Sequence, residues 1–319
     1  MSDATQGTPL VAIVGPTASG KSSLAVWLAE RLSGEVVVCD STQVYRGFDV
    51  GTAKIPVSER RGVPHHLLDL LGPEEVFTAG DFRRRAVEVL AALRERGRLP
   101  VFTVGTGLYF RALVEGLADA PTRSEELRKR LRQRAHRRGP EYAHRILARL
   151  DSAAAARIAP RDTPKIIRAI EVCLLAGKPI SDVHRESRMR LEGYRPIRVG
   201  LNPPRTALYD RINLRVEKML EAGWLDEVRR LVAAGIAADA KPFHFIGYGE
   251  LRAHLDGKLS LAKAVTAIQQ ATRRYAKRQL TWFRADPEVR WFAPSQGEEM
   301  LKLLRAFFAG AEFQKGDAF

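Results

Sequence analysis

Cysteine is scarce in this chain of 319 residues: Cys39 and Cys173 stand far apart, without the paired spacing of a zinc site or a disulfide framework. A reduced, cytoplasmic setting is the expectation. Long apolar runs are also missing. None reaches the ~18 residues needed to span a bilayer, and no basic segment followed by a long apolar one opens the chain, so neither a membrane nor export is expected. There is no internal repeat and no low-complexity tract, and the closing "QKGDAF" reads as a frayed end. Acidic residues are outnumbered, 37 against 52 Lys and Arg, which leaves a net charge of +15 and a pI near 10.2. Such an excess points to a polyanionic partner such as nucleic acid, although unspecific surface charge gives the same total.

What is present is a soluble, globular composition, 45% hydrophobic, long enough for two domains or for one domain carrying an insertion. The charge is unevenly spread. Between Asp119 and Gly200 there are 20 Lys and Arg against 10 Asp and Glu, so two thirds of the surplus lies in about a quarter of the chain. Outside that stretch, apolar strands alternate with amphipathic helices: "LVAIV", "EVVVCD" and "LPVFTV" read as buried strands, and Thr78 with Asp81 reads as a capping box opening "AGDFRRRAVEVLAALRERG". Continuous apolar strands joined by helices predict an α/β core with a parallel sheet covered by helices on both faces, and ligands at the C-terminal strand ends. From 119 to 195 the pattern is helical, arginine-rich and punctuated by proline, and "PIRVGL" then resumes as a strand. The expected organisation is a core formed by 1–118 and 196–319, interrupted by an all-helical insertion at 119–195; two domains in tandem is the alternative.

After the first strand, Gly15, Pro16, Thr17, Ala18, Ser19, Gly20, Lys21 and Ser22 spell G-x-x-x-x-G-K-[ST], the phosphate loop. In that loop backbone N–H groups, a helix N-terminus and a lysine converge on phosphate oxygens. The strand before it and the helix after it supply the required context. A glycine-bearing turn without a ligand remains the plain alternative, and the loop by itself names no reaction. Asp40 ends the second strand beside this loop, where a general base is useful; capping a turn is its other reading. Gln43 is able to read a base edge, because an amide both donates and accepts. Gly105, Thr106 and Gly107 bring a hydroxyl and bare backbone to the same end of the sheet. Arg211 and Arg215, at i, i+4 on a helix from Thr206, either grip a diphosphate or face solvent beside Asp210 and Glu217. "LAKAVTAIQQATRRYAKRQLTWFR" interleaves basic and aromatic residues, which suits a polynucleotide backbone or a core helix with one exposed basic side. "FHFIGYGEL" offers aromatics and glycines for stacking on an unpaired base, or simply packs beneath a loop.

Taken together and in order, "GPTASGKS", "CDSTQVYRGFDVGTAK", "PHHLLDLL", "AGDFRR", "GTGLYFRAL", "RAIEVCLLAGKPIS", "RINLRVEKMLEAGWLDEV", "IGYGEL" and "AKRQLTWFR" resemble the tRNA dimethylallyltransferases, the IPP transferase family. The likeness runs from about Leu10 to Trp291. It implies a P-loop NTPase-like core and transfer of a dimethylallyl group from dimethylallyl diphosphate to the N6 amine of the adenosine 3′-adjacent to the anticodon, with Mg²⁺ as cofactor. It implies that Gly15 to Ser22 hold the diphosphate, Lys21 neutralising charge and Ser22 seating the metal, while Asp40 acts as base and Arg215 stabilises the leaving group. Asp40, Ser41, Thr42, Gln43 and Thr106 would contact the RNA, Thr106 also belonging to the catalytic set, as would Arg128, Pro164, Lys165, Ile166, Ile167 and Arg168 in the insertion, and His244, Phe245, Ile246, Gly247, Tyr248 and Gly249. The insertion would embrace the anticodon stem-loop, and the enzyme would act as a monomer. One departure stands out: Val104 replaces the first glycine of the family's pattern in "TVGT", and a β-branched residue predicts extended backbone there. A small-molecule or nucleotide kinase shares the phosphate loop, the strand-end carboxylate and an arginine-rich lid, and an ATP-switched RNA-binding protein is the third reading.

Overall fold

Val11, Ala12 and Ile13 pair in parallel with Val101, Phe102 and Thr103 on one side and with Ile197, Arg198 and Val199 on the other. An interior parallel strand is buried on both faces, which is why its sequence shows no polar alternation. The computed structural model describes residues 7–118, 120–185 and 189–310; the closing 314–319 and Asp119 lie outside them. The chain begins with β1 (Thr8–Val14), α1 (Lys21–Arg31), β2 (Gly34–Cys39), β3 (His65–His66), α2 (Ala79–Glu95), β4 (Leu99–Val104) and α3 (Gly107–Val114). Among the described residues five helices follow without a strand: α4 (Glu125–Arg138), α5 (Pro140–Leu150), α6 (Ser152–Arg157), α7 (Thr163–Ala176) and α8 (Ile180–Arg185). Then come β5 (Tyr194–Leu201), α9 (Arg205–Glu221), α10 (Trp224–Ala233), a 3₁₀ turn (Lys241–His244), α11 (Tyr248–Leu255), α12 (Leu261–Arg284), β6 (Val289–Phe292) and α13 (Gly297–Phe308).

The six strands form one parallel sheet in the order β3-β2-β4-β1-β5-β6. Successive residues of a strand face opposite sides. Val11, Ile13, Val36, Val38, Val101 and Val199 therefore share one face, packed against Ala25, Leu28 and Ala29 of α1 and Met300, Leu301 and Leu304 of α13. On α2 the buried positions Phe82, Ala86, Leu90 and Leu93 recur at helical spacing. The capping box expected at its start is present: Asp81 N donates to Thr78 Oγ1 at 3.2 Å, and Thr78 N to Asp81 Oδ2 at 2.9 Å. Val104 is the buried last residue of β4, in extended backbone as its β-branched side chain prefers.

Two compact units emerge, Met1–Leu113 with Glu192–Phe319, and Val114–Leu191. The helical unit thus starts earlier and ends earlier than the 119–195 read from the sequence. Two interactions set the difference. Leu191 N donates to Val114 O at 3.1 Å, closing the helical unit at its neck, and Tyr194 already pairs with Thr8, so β5 begins before "PIRVGL". Within the helical unit, Leu131, Leu147, Ile166, Ile170 and Val172 form the centre of a separate core. Ser124, Asp151 and Asp162 cap the starts of α4, α6 and α7 through bonds from Leu127 N, Ala154 N and Lys165 N. Among the described residues no helix is long and apolar enough to cross a membrane.

Candidate active site

The turn after β1 is built to expose backbone N–H groups. Gly15 has φ +138° and passes so close to β5 that an added Cβ would stand 2.8 Å from Leu201 O, so no larger residue fits. Gly20, at φ +98°, is the N-cap, and α1 begins at Lys21 itself. Its unpaired first-turn N–H groups, with the helix dipole behind them, make an anion site. Lys21 Nζ donates to Gly15 O at 2.9 Å and Pro16 O at 2.8 Å, which folds the ammonium over the loop. Burial pushes the Lys21 pKa down to about 7, and the Arg215 guanidinium pushes the same way while Asp40 partly opposes them.

Asp40 follows β2, and its Oδ1 accepts from Thr42 N at 2.8 Å and Thr42 Oγ1 at 2.6 Å. This is the strand-end turn that a short acidic side chain favours, yet the carboxylate also lines a cavity. At the end of β4, Gly105 N and Thr106 N both donate to Cys39 O at 3.0 Å, tying the two strand ends together. Thr106 Oγ1 accepts from Ser41 N at 3.0 Å and donates to Ser41 Oγ at 3.2 Å. Thr106 therefore holds Ser41 in place. Gln43 Nε2 donates to Thr52 O at 3.1 Å, so half of its amide is engaged within the chain.

Thr17, Ala18, Ser19, Gly20, Lys21 and Ser22 surround a cavity of about 330 Å³ together with Asp40, Gln43, Gly105, Arg215, Tyr275 and Gln279. Val38, Ile55 and Pro56 add apolar wall. A cationic cradle and a carboxylate thus open on one space with both polar and apolar lining. Arg215 sits on α9 and is buried enough that its pKa is lowered by desolvation, against the pull of Asp40. Arg211, one turn earlier, is exposed and does not line the cavity, so the expected arginine pair reduces to one. Among the described residues no cluster of three His, Cys, Asp or Glu side chains is present.

Four residues that shape the site escape the sequence reading. Gln279 is 6% exposed and bridges the phosphate loop to β4, accepting from Thr17 N at 2.7 Å and donating to Gly105 O at 2.8 Å. It falls on the buried face of α12 with Ala276 and Phe283, and a polar residue in an apolar stripe is the available signal. Glu227 is buried and accepts from Asp49 N at 2.9 Å, Val50 N at 2.8 Å and Tyr248 Oη at 2.6 Å. Lys54 Nζ donates to Tyr45 O and to Asp49 Oδ1, both at 2.6 Å. Trp224 is buried against Gly51 and Gly247. These last three brace the segment that follows Asp40.

The remaining expected RNA contacts divide. His244 is exposed, but the stretch is no flexible loop: a 3₁₀ turn and the start of α11 enclose it, Phe243 and Tyr248 are buried, and Gly247 is buried beneath Trp224. The aromatics there pack beneath the chain, with Phe245 5.6 Å from Tyr45 and Phe48 5.1 Å from Tyr248 between ring centroids. Ile246 and Gly249 are half-buried beside them. In the helical unit, the side chains of Ile166 and Ile167 are buried in the core. Pro164 and Lys165 are exposed at the start of α7, and Arg168 and Arg128 are bound to Glu171.

A family model described as IPP transferase matches residues 43–286. The chain is 53% identical over 282 residues to the tRNA dimethylallyltransferase of Koribacter versatilis (strain Ellin345), covering 88% of this chain and 92% of that one. It is 51% identical over 283 residues to that of Solibacter usitatus (strain Ellin6076), covering 89% and 92%. The crystal structure of a full-length tRNA isopentenylpyrophosphate transferase from Bacillus halodurans is 40% identical, with a TM-score of 0.70 over 94% of this chain and 97% of that one. With the phosphate loop, the strand-end aspartate and the parallel sheet, these likenesses lead to one conclusion: the chain is an enzyme belonging to the IPP transferase family, a prenyltransferase.

Proposed function

We propose that this enzyme transfers a dimethylallyl group from dimethylallyl diphosphate to the N6 amine of the adenosine 3′-adjacent to the anticodon of tRNA. The observation that carries the reading is the shared cavity, in which Lys21, Arg215 and the Asp40 carboxylate face one space beside apolar wall. In the transfer the allylic C–O bond of the donor breaks, its electron pair leaves with diphosphate, the N6–C bond forms and the amine proton passes to Asp40. Charge grows on the leaving diphosphate, so cations fixed in advance by the phosphate loop and α9 lower the barrier. An aromatic amine is a weak nucleophile, and a hydrogen bond to Asp40 that tightens as the proton acidifies contributes about 10² to 10⁴ in rate. Thr42 holds one carboxylate oxygen, which leaves the other for the amine.

Mg²⁺ suits the oxygen donors here. Ser22, exposed in the first turn of α1, would offer the ion its hydroxyl, and donor phosphate oxygens would supply further ligands. When bound, the ion supplies charge neutralisation at the departing diphosphate. The adenosine leaves its stack to reach a cavity of this size, at a cost of a few kcal/mol that is smaller in a loop than in a duplex. RNA phosphates are met by exposed cations of the helical unit, among them Lys129, Arg134 and Arg137 of α4. The enzyme works on tRNA as a monomer in the cytoplasm, a reducing setting that suits its two free, buried cysteines.

One experiment tests the reading. The protein is incubated with Mg²⁺, radiolabelled dimethylallyl diphosphate and an unmodified anticodon stem-loop bearing adenosines, and in a parallel tube with γ-labelled ATP and a small acceptor. Label moving to the RNA adenine supports the proposal. Phosphate moving to the small acceptor, or binding without transfer of either kind, overturns it.

A further inference from the structure

Gly105 is the point at which the phosphate loop, the end of β4 and Asp40 meet. Its carbonyl accepts from Gln279 Nε2 at 2.8 Å and from Tyr275 Oη at 3.2 Å, and its N–H donates to Cys39 O at 3.0 Å. A Cβ added at Gly105 would lie 2.3 Å from Asp40 Oδ2, so this backbone forms the wall against which the carboxylate rests. From the opposite side, the other end of the Gln279 amide accepts from Thr17 N at 2.7 Å. We propose that Gln279 is a positioning residue for prenyl transfer: its side-chain amide fixes the separation between the diphosphate cradle and the Asp40 carboxylate.

This inference rests on the functional reading above. The bridge needs an acceptor on one side and a donor on the other, in one planar group of this length. Ionised glutamate lacks the donor for Gly105 O, lysine lacks the acceptor for Thr17 N, and methionine has no donor and only a weak thioether acceptor. Gln279 is 6% exposed, where water is a poor substitute partner, so both bonds persist and the two walls move together. Both partners of the amide are backbone groups of the protein. The effect of the two bonds falls on alignment of the reacting carbon, the amine and the base.

The test compares Gln279→Glu, which keeps the bond from Thr17 N, with Gln279→Met, which loses both, normalising rates to sites that bind inorganic diphosphate. The expected result for Gln279→Met is a fall in kcat per site of about 10²-fold with the KM for RNA unchanged, Gln279→Glu falling between it and the parent. In an Asp40→Asn background the same substitution is expected to cost less than about threefold, because the base it aligns is gone. Unchanged kcat per site, or an equal loss in both backgrounds, overturns the proposal. If Gln279→Met fails to fold, Tyr275→Phe removes one bond to Gly105 O and keeps the ring; a loss of about two- to tenfold in kcat supports the bridge, and none contradicts it. If the parent itself moves no label to RNA, the functional reading fails while the bridge is still read from inorganic diphosphate affinity, which Gln279→Met weakens about tenfold if the amide holds the loop and leaves unchanged if it does not.

Discussion

Arg128 donates through Nε and Nη2 to both carboxylate oxygens of Glu171, at 2.9 and 3.0 Å, and Glu171 is fully buried. Arg168 Nη1 reaches the same carboxylate at 2.6 Å, and Ser124 N at 2.8 Å. An arginine whose fork is filled by a buried acid is no longer a free grip for phosphate. Its position on an arginine-rich helix suggests RNA contact; its geometry makes it a strut between α4 and α7.

Arg128→Ala is accordingly expected to cost about 3–5 kcal/mol of stability, because it strands part of a buried carboxylate. Chemical denaturation reads the loss. A variant as stable as the parent but weakened for RNA would restore Arg128 to the binding surface.

Exposed cations of α4 carry the opposite expectation. Arg134→Ala and Arg137→Ala are predicted to leave stability within about 0.5 kcal/mol while each lowers the slope of log affinity against log salt for an anticodon stem-loop by about 1. Unchanged slopes would remove α4 from the RNA interface.

The helical unit also has a defined acid limb. Burial alone would raise the Glu171 carboxyl, but hydrogen bonds from Arg128 and Arg168 and one from Ser124 N win and hold it below the ordinary glutamate range. A depressed carboxyl stabilises above its unfolded pKa and loses that contribution as pH falls through the folded value. Melting of the parent is expected to drop steeply below about pH 4.5, and Glu171→Gln, already weaker at pH 7, should show a flatter acid limb.

Lys21 is expected to set the alkaline side of donor binding. With its pKa pushed down to about 7, the free protein loses this charge as pH rises past neutrality, and a bound diphosphate draws the proton back. Affinity for dimethylallyl diphosphate should hold level just below pH 7 and fall by up to about tenfold per unit above it, with proton uptake seen by calorimetry in buffers of different ionisation enthalpy. Lys21→Met should abolish the uptake. Constant affinity from pH 7 to 9 contradicts the assignment.

Much of this architecture is readable in the chain, for identifiable reasons. "LPVFTV" and "LAKAVTAIQQATRRYAKRQLTWFR" match β4 and α12 at both ends because burial periodicity is a local property. That the G-x-x-x-x-G-K-S loop and Asp40 meet at one cavity is readable because strand ends of a parallel sheet gather at one edge. The Glu171 pairing of Arg128 and the burial of Ile166 and Ile167 are not legible, because their partners lie in other helices: spacing says which residues share a face, while only packing says what that face meets. Gln279 and Glu227 are invisible for the same reason, since Thr17 and Gly105 lie on either side of Gln279 in space but 262 and 174 positions away in the chain.

The most direct test of the central claim is a single-turnover measurement with labelled dimethylallyl diphosphate and an anticodon stem-loop, comparing the parent with Asp40→Ala. The account predicts RNA affinity within about twofold of the parent and a transfer rate lower by about 10² to 10⁴. Equal transfer rates in the two proteins would show that the carboxylate beside the cradle takes no proton, and the proposed chemistry of this site would fall with it.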